Sequence, residues 1–213
     1  MHNRKPHTMS ERWIRVILLI LYLVGAVGML LPSTRGWFVQ LSALNLFISF
    51  LGLIFSRKSK QLSFIAFLGI AFVIGVAVEL IGVHTSYLFG SYFYGNNLGL
   101  KWYGIPLIIG ANWGIMVVTS AAVVHRFELN KHVEAIVAAL LMVLFDYILE
   151  PVAMKLDYWH WSNGVIPVYN FVCWLVVSYV LQHIYQRMKL PEVNKVAESL
   201  FLMMFIFFTL LML

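Results

Sequence analysis

The stretch LSFIAFLGIAFVIGVAVEL, residues 62–80, decides the fold: its only charged side chain is Glu79, next to its end. A run of this kind matches the roughly 20 residues that an α-helix needs to cross a hydrocarbon core. It is too long for an ordinary strand. Six further apolar runs flank it, at 13–31, 37–55, 105–124, 133–150, 167–185 and 197–213. The composition agrees, with 62% of the 213 residues hydrophobic, 11% charged and a mean hydropathy of +0.86. Such a balance excludes a soluble single domain. The expectation is an all-α, polytopic membrane bundle of about seven transmembrane helices forming one domain over residues 1–213.

Charge follows the same alternation. Twelve of the 15 basic residues fall at the N-terminus (Arg4, Lys5, Arg12, Arg15) and in the second, fourth and sixth connections (Arg57, Lys58, Lys60; Arg126, Lys131; Arg187, Lys189, Lys195). Only Arg35, Lys101 and Lys155 occupy the alternate connections. The positive-inside rule then places the N-terminus in the cytoplasm and the C-terminus on the exoplasmic side. The net charge of +6 therefore reports orientation and not a nucleic-acid partner. The first run lacks a small-x-small cleavage site before Pro32 and is expected to stay as an uncleaved span. A lone cysteine, Cys173, excludes a disulfide framework.

Two connections differ from the short basic ones. Residues 81–104 interleave Gly82, Gly90, Gly95, Gly99 and Gly104 with aromatic side chains, and residues 151–166 carry DYWHW. An aromatic belt at headgroup level accounts for the rings, but not for the glycines, which suit a folded interfacial loop. Both loops lie on the expected exoplasmic side.

Three carboxyl groups stand at membrane depth: Glu79, Asp146 and Glu150. Placing such a group in a span costs several kcal/mol unless it faces an interior cavity, so each is a site candidate. Asp146 and Glu150, four apart, share one face of the fifth helix, and Glu79 lies at the same level of the third. Asn112 and Trp113 fall about two turns below that surface and are expected to line the cavity floor. An acid there can protonate an alkene, aromatic faces can stabilise the resulting cation, and a second carboxylate can take a proton from water. The same parts would serve a proton-coupled transporter. His84 and His160 share the side but no ligand spacing, and no phosphate loop, nucleophile elbow or zinc-helix motif occurs, so no metal and no cofactor is expected.

The residues Glu79-x-x-Gly82, Thr85, Phe89-Gly90, Tyr92-x-Tyr94, Gly104-x-Pro106 and Asn112-Trp113 form one signature. A second is Asp146-x-x-x-Glu150-Pro151-Val152-Ala153, Trp159-x-Trp161, Gly164, Pro167, Asn170-Phe171 and Trp174. Together they resemble the membrane carotenoid-biosynthesis family that includes carotenoid hydratases, most closely over residues 62–186. Ser86, Leu88 and Glu150 depart from the residues usual there, which are glycine, proline and aspartate.

The resemblance implies cofactor-free addition of water to the terminal double bond of an acyclic carotenoid end group, giving a tertiary alcohol. Glu79, Asp146 and Glu150 would be catalytic. Tyr92, Tyr94, Asn112, Trp113, Trp159, Trp161, Asn170 and Trp174 would bind the substrate. The implied partners are a carotenoid or other long isoprenoid within the bilayer, water and the lipid itself, with other enzymes of the pathway as candidate protein partners. The implied setting is a bacterial inner membrane. An end-group cyclase starting from the same protonation, a non-enzymatic isoprenoid carrier or transporter, and a structural partner of pigment enzymes remain the rival readings.

Overall fold

A computed structural model describes residues 11–57 and 59–213; Arg4, Lys5 and Lys58 of the charge argument lie outside them. Among the described residues the helices are α1 (Glu11–Leu30), α2 (Arg35–Gln40), α3 (Ser42–Ser56), α4 (Gln61–Thr85), α5 (Ile108–His125), α6 (Lys131–Lys155), α7 (Val168–Arg187) and α8 (Lys195–Met212). Six of them, α1 and α4 to α8, are long and apolar enough to cross a membrane. The second apolar run supplies the shorter apolar helix α3. It is not one straight rod, because the chain breaks at Leu41, where the Ser42 hydroxyl donates to the Val39 carbonyl.

Helix α5 is the axis of the bundle, packed by α3, α4, α6, α7 and α8. Its sequence explains the position: Gly110, Ala111, Gly114, Ser120, Ala121 and Ala122 keep its surface small enough for close helix approach. A Cβ at Gly110 would meet the Phe72 ring of α4 at 2.7 Å, and one at Gly75 of α4 would meet Trp113 of α5 at 2.5 Å. By contrast α1 buries a single stripe, Ile14, Leu18, Tyr22, Ala26 and Met29, against α3 and α8. Its opposite face exposes Leu19, Ile20, Leu23, Val24 and Val27, the apolar surface a lipid-facing helix presents.

The bundle has two unlike ends. One carries Arg57–Glu192 (3.3 Å), Arg126–Glu198 (3.0 Å) and His125–Glu134 (2.7 Å). At the other, Arg35, Lys101 and Lys155 each donate to a backbone carbonyl, those of Met29, Tyr94 and Met212. Two of these carbonyls close the C-terminal turns of α1 and α8, where a cation complements the helix dipole.

At this second end the two aromatic loops fold together. Strand β1 (Tyr92–Tyr94) pairs antiparallel with β4 (Trp159–Trp161), in the register Tyr92 to Trp161 and Tyr94 to Trp159. Strands β2 (Lys101–Trp102) and β3 (Ile105–Pro106) form a hairpin turning on Tyr103 and Gly104, both at positive φ as a tight primed turn requires. The aromatic set divides by strand alternation. Tyr92 and Tyr94 point inward and are buried, whereas Phe93 between them is 54% exposed and Tyr103 is 70% exposed. Inner rings build a site and outer rings suit the headgroup layer.

Two helices run further than the apolar runs. Helix α4 continues to Thr85, so Gly82 is helical, and α6 continues through Pro151 to Lys155. A proline usually ends a helix, but here Val152 and Ala153 behind it are completely buried, and that packing holds the last turn in place.

Candidate functional site

Glu79 sits on α4 with the ribbon folded over it. Its Oε2 accepts from the hydroxyls of Tyr92 (2.5 Å) and Tyr94 (2.8 Å), and its Oε1 accepts from Trp113 Nε1 at 3.2 Å. Both phenols have their pKa raised well above the ordinary value, by burial first and by the Glu79 carboxyl second, so they remain donors at physiological pH. Alternation in β1 is what delivers both hydroxyls to one carboxyl, since residues 92 and 94 share a face.

Glu150 is the counterpart on α6. Its Oε2 accepts the indole N–H groups of Trp159 (3.0 Å) and Trp161 (2.7 Å), again two residues apart on one strand face. The Asn170 amide of α7 donates to Glu150 Oε1 at 3.0 Å and to Asp146 Oδ2 at 2.9 Å. Asp146 is fully buried, and its Oδ1 has no partner among the described residues.

Glu79 and Glu150 line one pocket of about 30 Å³, together with Tyr92, Tyr94, Asn112 and Asn170. Trp113, Trp159, Trp161 and Trp174 complete its wall. Trp113 and Trp174 stack at 4.2 Å between centroids, each ring covering one face of the other. About 10–15 Å³ of such pocket space is enough to admit one water, so the pocket has room for a water or two. Of the eleven residues expected from the sequence to be catalytic or substrate-binding, Asp146 alone does not reach the pocket; it joins Glu150 through Asn170.

Beside the small pocket lies a much larger apolar cavity of about 240 Å³, lined from α1, the α2–α3 break, α5, α6 and α8. The two share Ile109, Asn112, Leu149 and Trp159 as a common wall. Asn112 makes no side-chain hydrogen bond among the described residues, which leaves its amide open at the junction. Sequence reasoning missed this chamber. Tyr22, Phe38, Leu46 and Phe207 in its wall carry no signal that separates them from lipid-facing residues of the same helices.

Backbone geometry explains one departure from the usual signature. Ser86 closes α4 at φ +57°, the left-handed region where glycine is favoured. His84 bonds the Tyr103 carbonyl and His160 bonds Asp157, so each acts within the loop structure.

Comparison with known proteins gives one family. A family model described as carotenoid biosynthesis protein matches residues 36–213, covering α2 to α8 and every residue of both pockets except those on α1. No curated protein and no solved structure matches the chain.

Proposed function

The chain belongs to the carotenoid biosynthesis protein family, and on that premise we propose that it hydrates the terminal double bond of an acyclic carotenoid end group. A role in carotenoid biosynthesis and a multi-pass membrane setting come with the family and the six apolar helices. The observation that carries the finer reading is the junction of the two cavities. A small pocket held between two carboxyl groups shares a wall, Asn112 included, with an apolar chamber able to take the branched end of an isoprenoid.

In the proposed mechanism Glu150, backed by Asp146, transfers a proton to the less substituted carbon of the terminal alkene. The tertiary cation that forms is stabilised by the faces of Trp113, Trp174 and Trp159. Water held near Glu79 adds to the cation, and its surplus proton passes to a carboxylate of the site, so no proton is gained or lost overall. Glu79, ringed by three donors, suits the acceptor role; Asp146, whose Oδ1 is unpartnered, suits the role of proton reserve. By the positive-inside rule the end bearing Arg57 and Arg126 would face the cytoplasm, so the ribbon and the site would face the exoplasmic side, where water is at hand.

The test is expression in a host that accumulates an acyclic carotenoid, followed by mass analysis of the pigment. A gain of one water supports hydration. An isomer of unchanged mass would establish the cyclase reading, and unaltered pigment the carrier.

A further inference from the structure

Below the site, towards the end carrying the ion pairs, α7 brings a row of buried polar side chains to its contact with α6. Along α7, Asn170, Ser178, Gln182 and Gln186 lie on one ridge of every fourth residue, interrupted only by Trp174, and all are buried. The facing ridge of α6 runs from Glu134 past Ala138 and Met142 to Asp146 and Glu150. Six buried side-chain polar atoms among the described residues have no partner, and four belong here: Asp146 Oδ1, Ser178 Oγ, Gln182 Oε1 and Gln186 Nε2. Gln182 is fixed by its amide nitrogen, which donates to the Val117 carbonyl and to Ser120 Oγ, so its carbonyl oxygen is the unpartnered group.

Isolated polar atoms of this kind are destabilising when left unpaired, and buried water is the usual remedy. Successive side chains on such a ridge are about 6 Å apart along the axis. One water accepting from one group and donating to the next spans roughly that distance at ordinary hydrogen-bond lengths. We propose that the α6–α7 seam binds a file of internal waters that exchanges protons between the Asp146–Glu150 pair and the end of the bundle bearing His125 and Glu134.

The charged and titratable groups at the two ends suit such a link. Around Asp146 stand Glu150 on its own helix and Glu79 on α4, with Asn170 from α7. Glu134 pairs with His125 of α5 and acts electrostatically on Tyr185 of α7, which in turn faces Arg57 and Glu192. Arg126 is held by Glu198 of α8. Because hydration is proton-neutral, the seam would carry no net flow in turnover; it would set the resting proton occupancy of the pair from the far face. The inference is independent of which reaction that pair performs.

The test uses no pigment. The full chain is placed with one orientation in vesicles whose inner and outer pH are set separately. The infrared carbonyl band of the protonated carboxyl, assigned by its loss in Asp146→Asn, is followed after a pH step on one side. The band should follow steps at the His125–Glu134 face, and Gln182→Leu should slow that response at least tenfold in protein that melts normally. Ser178→Ala, which removes one hydroxyl and little volume, gives the same reading if the leucine variant fails to fold. A band that answers only to the ribbon face, answers to neither, or keeps its rate in the variant that folds would overturn the proposal.

Discussion

Asp146 and Glu150, one turn apart on α6, are tied by a single amide: Asn170 Nδ2 lies 2.9 Å from Asp146 Oδ2 and 3.0 Å from Glu150 Oε1. Two buried carboxyl groups are thereby held in fixed relation by one side chain of another helix. Asn170→Leu removes the donor from both. A hydrogen bond to a charged group is worth about 1.5–3 kcal/mol, so hydration should fall by roughly ten- to hundredfold. Turnover of a supplied acyclic carotenoid in membranes, normalised to folded protein, checks it.

The three acids should differ in kind as well as in degree. Asp146→Asn and Glu150→Gln should each reduce turnover by at least about a hundredfold, the usual scale for general acid–base groups. Glu79→Gln should also lose activity, since an amide nitrogen would face the Trp113 indole or the tyrosine hydroxyls in place of an accepting oxygen. Pigment retained by the purified variants should stay near the parent level. Loss of pigment with turnover unchanged per bound pigment would assign these residues to binding.

Gly82 is the glycine of α4 where a methyl group would strike the Tyr92 hydroxyl on Glu79. A Cβ there would lie 2.7 Å from the Tyr92 hydroxyl and 3.0 Å from the Phe89 ring. Gly82→Ala should therefore lower stability by about 1–3 kcal/mol and displace Tyr92 from Glu79. Adding Tyr92→Phe removes the clashing oxygen. The double variant should recover thermal stability but not turnover, and recovery of both would mean that the Tyr92 hydroxyl has no part in the reaction.

The ribbon carries its own pH dependence. Asp157 accepts from the Asn96 backbone N–H and from His160, and these hold its carboxyl below the ordinary value. A lowered folded pKa means that the carboxylate's contribution is complete above the unfolded value and is lost as pH falls through the folded one. Protease protection of the 157–166 loop should accordingly persist from neutrality to about pH 4 and decline below it. In Asp157→Asn protection should be weaker throughout and flat over that acid range.

Much of this was legible in the sequence because membrane depth makes polarity conspicuous. Glu79, Asp146 and Glu150 stood out against apolar neighbours, and four-residue spacing put two of them on one face. The pairing of β1 with β4 was not legible: strands of three residues carry too little pattern, and an aromatic belt has the same composition. Pro151 looked like a helix end because burial of Val152 and Ala153, which keeps α6 going, is a tertiary fact. The α6–α7 seam was hidden for the converse reason, since Ser178, Gln182 and Gln186 are modest polar residues whose significance lies in one polar atom of each having no partner among the described residues.

Hydration itself is tested most directly by supplying an acyclic carotenoid to the membrane-embedded protein in water labelled with heavy oxygen and deuterium. The account predicts a tertiary hydroxyl carrying solvent oxygen, with solvent hydrogen on the adjacent carbon and no requirement for molecular oxygen. Oxygen drawn from O₂, or a product with no added oxygen, would contradict it.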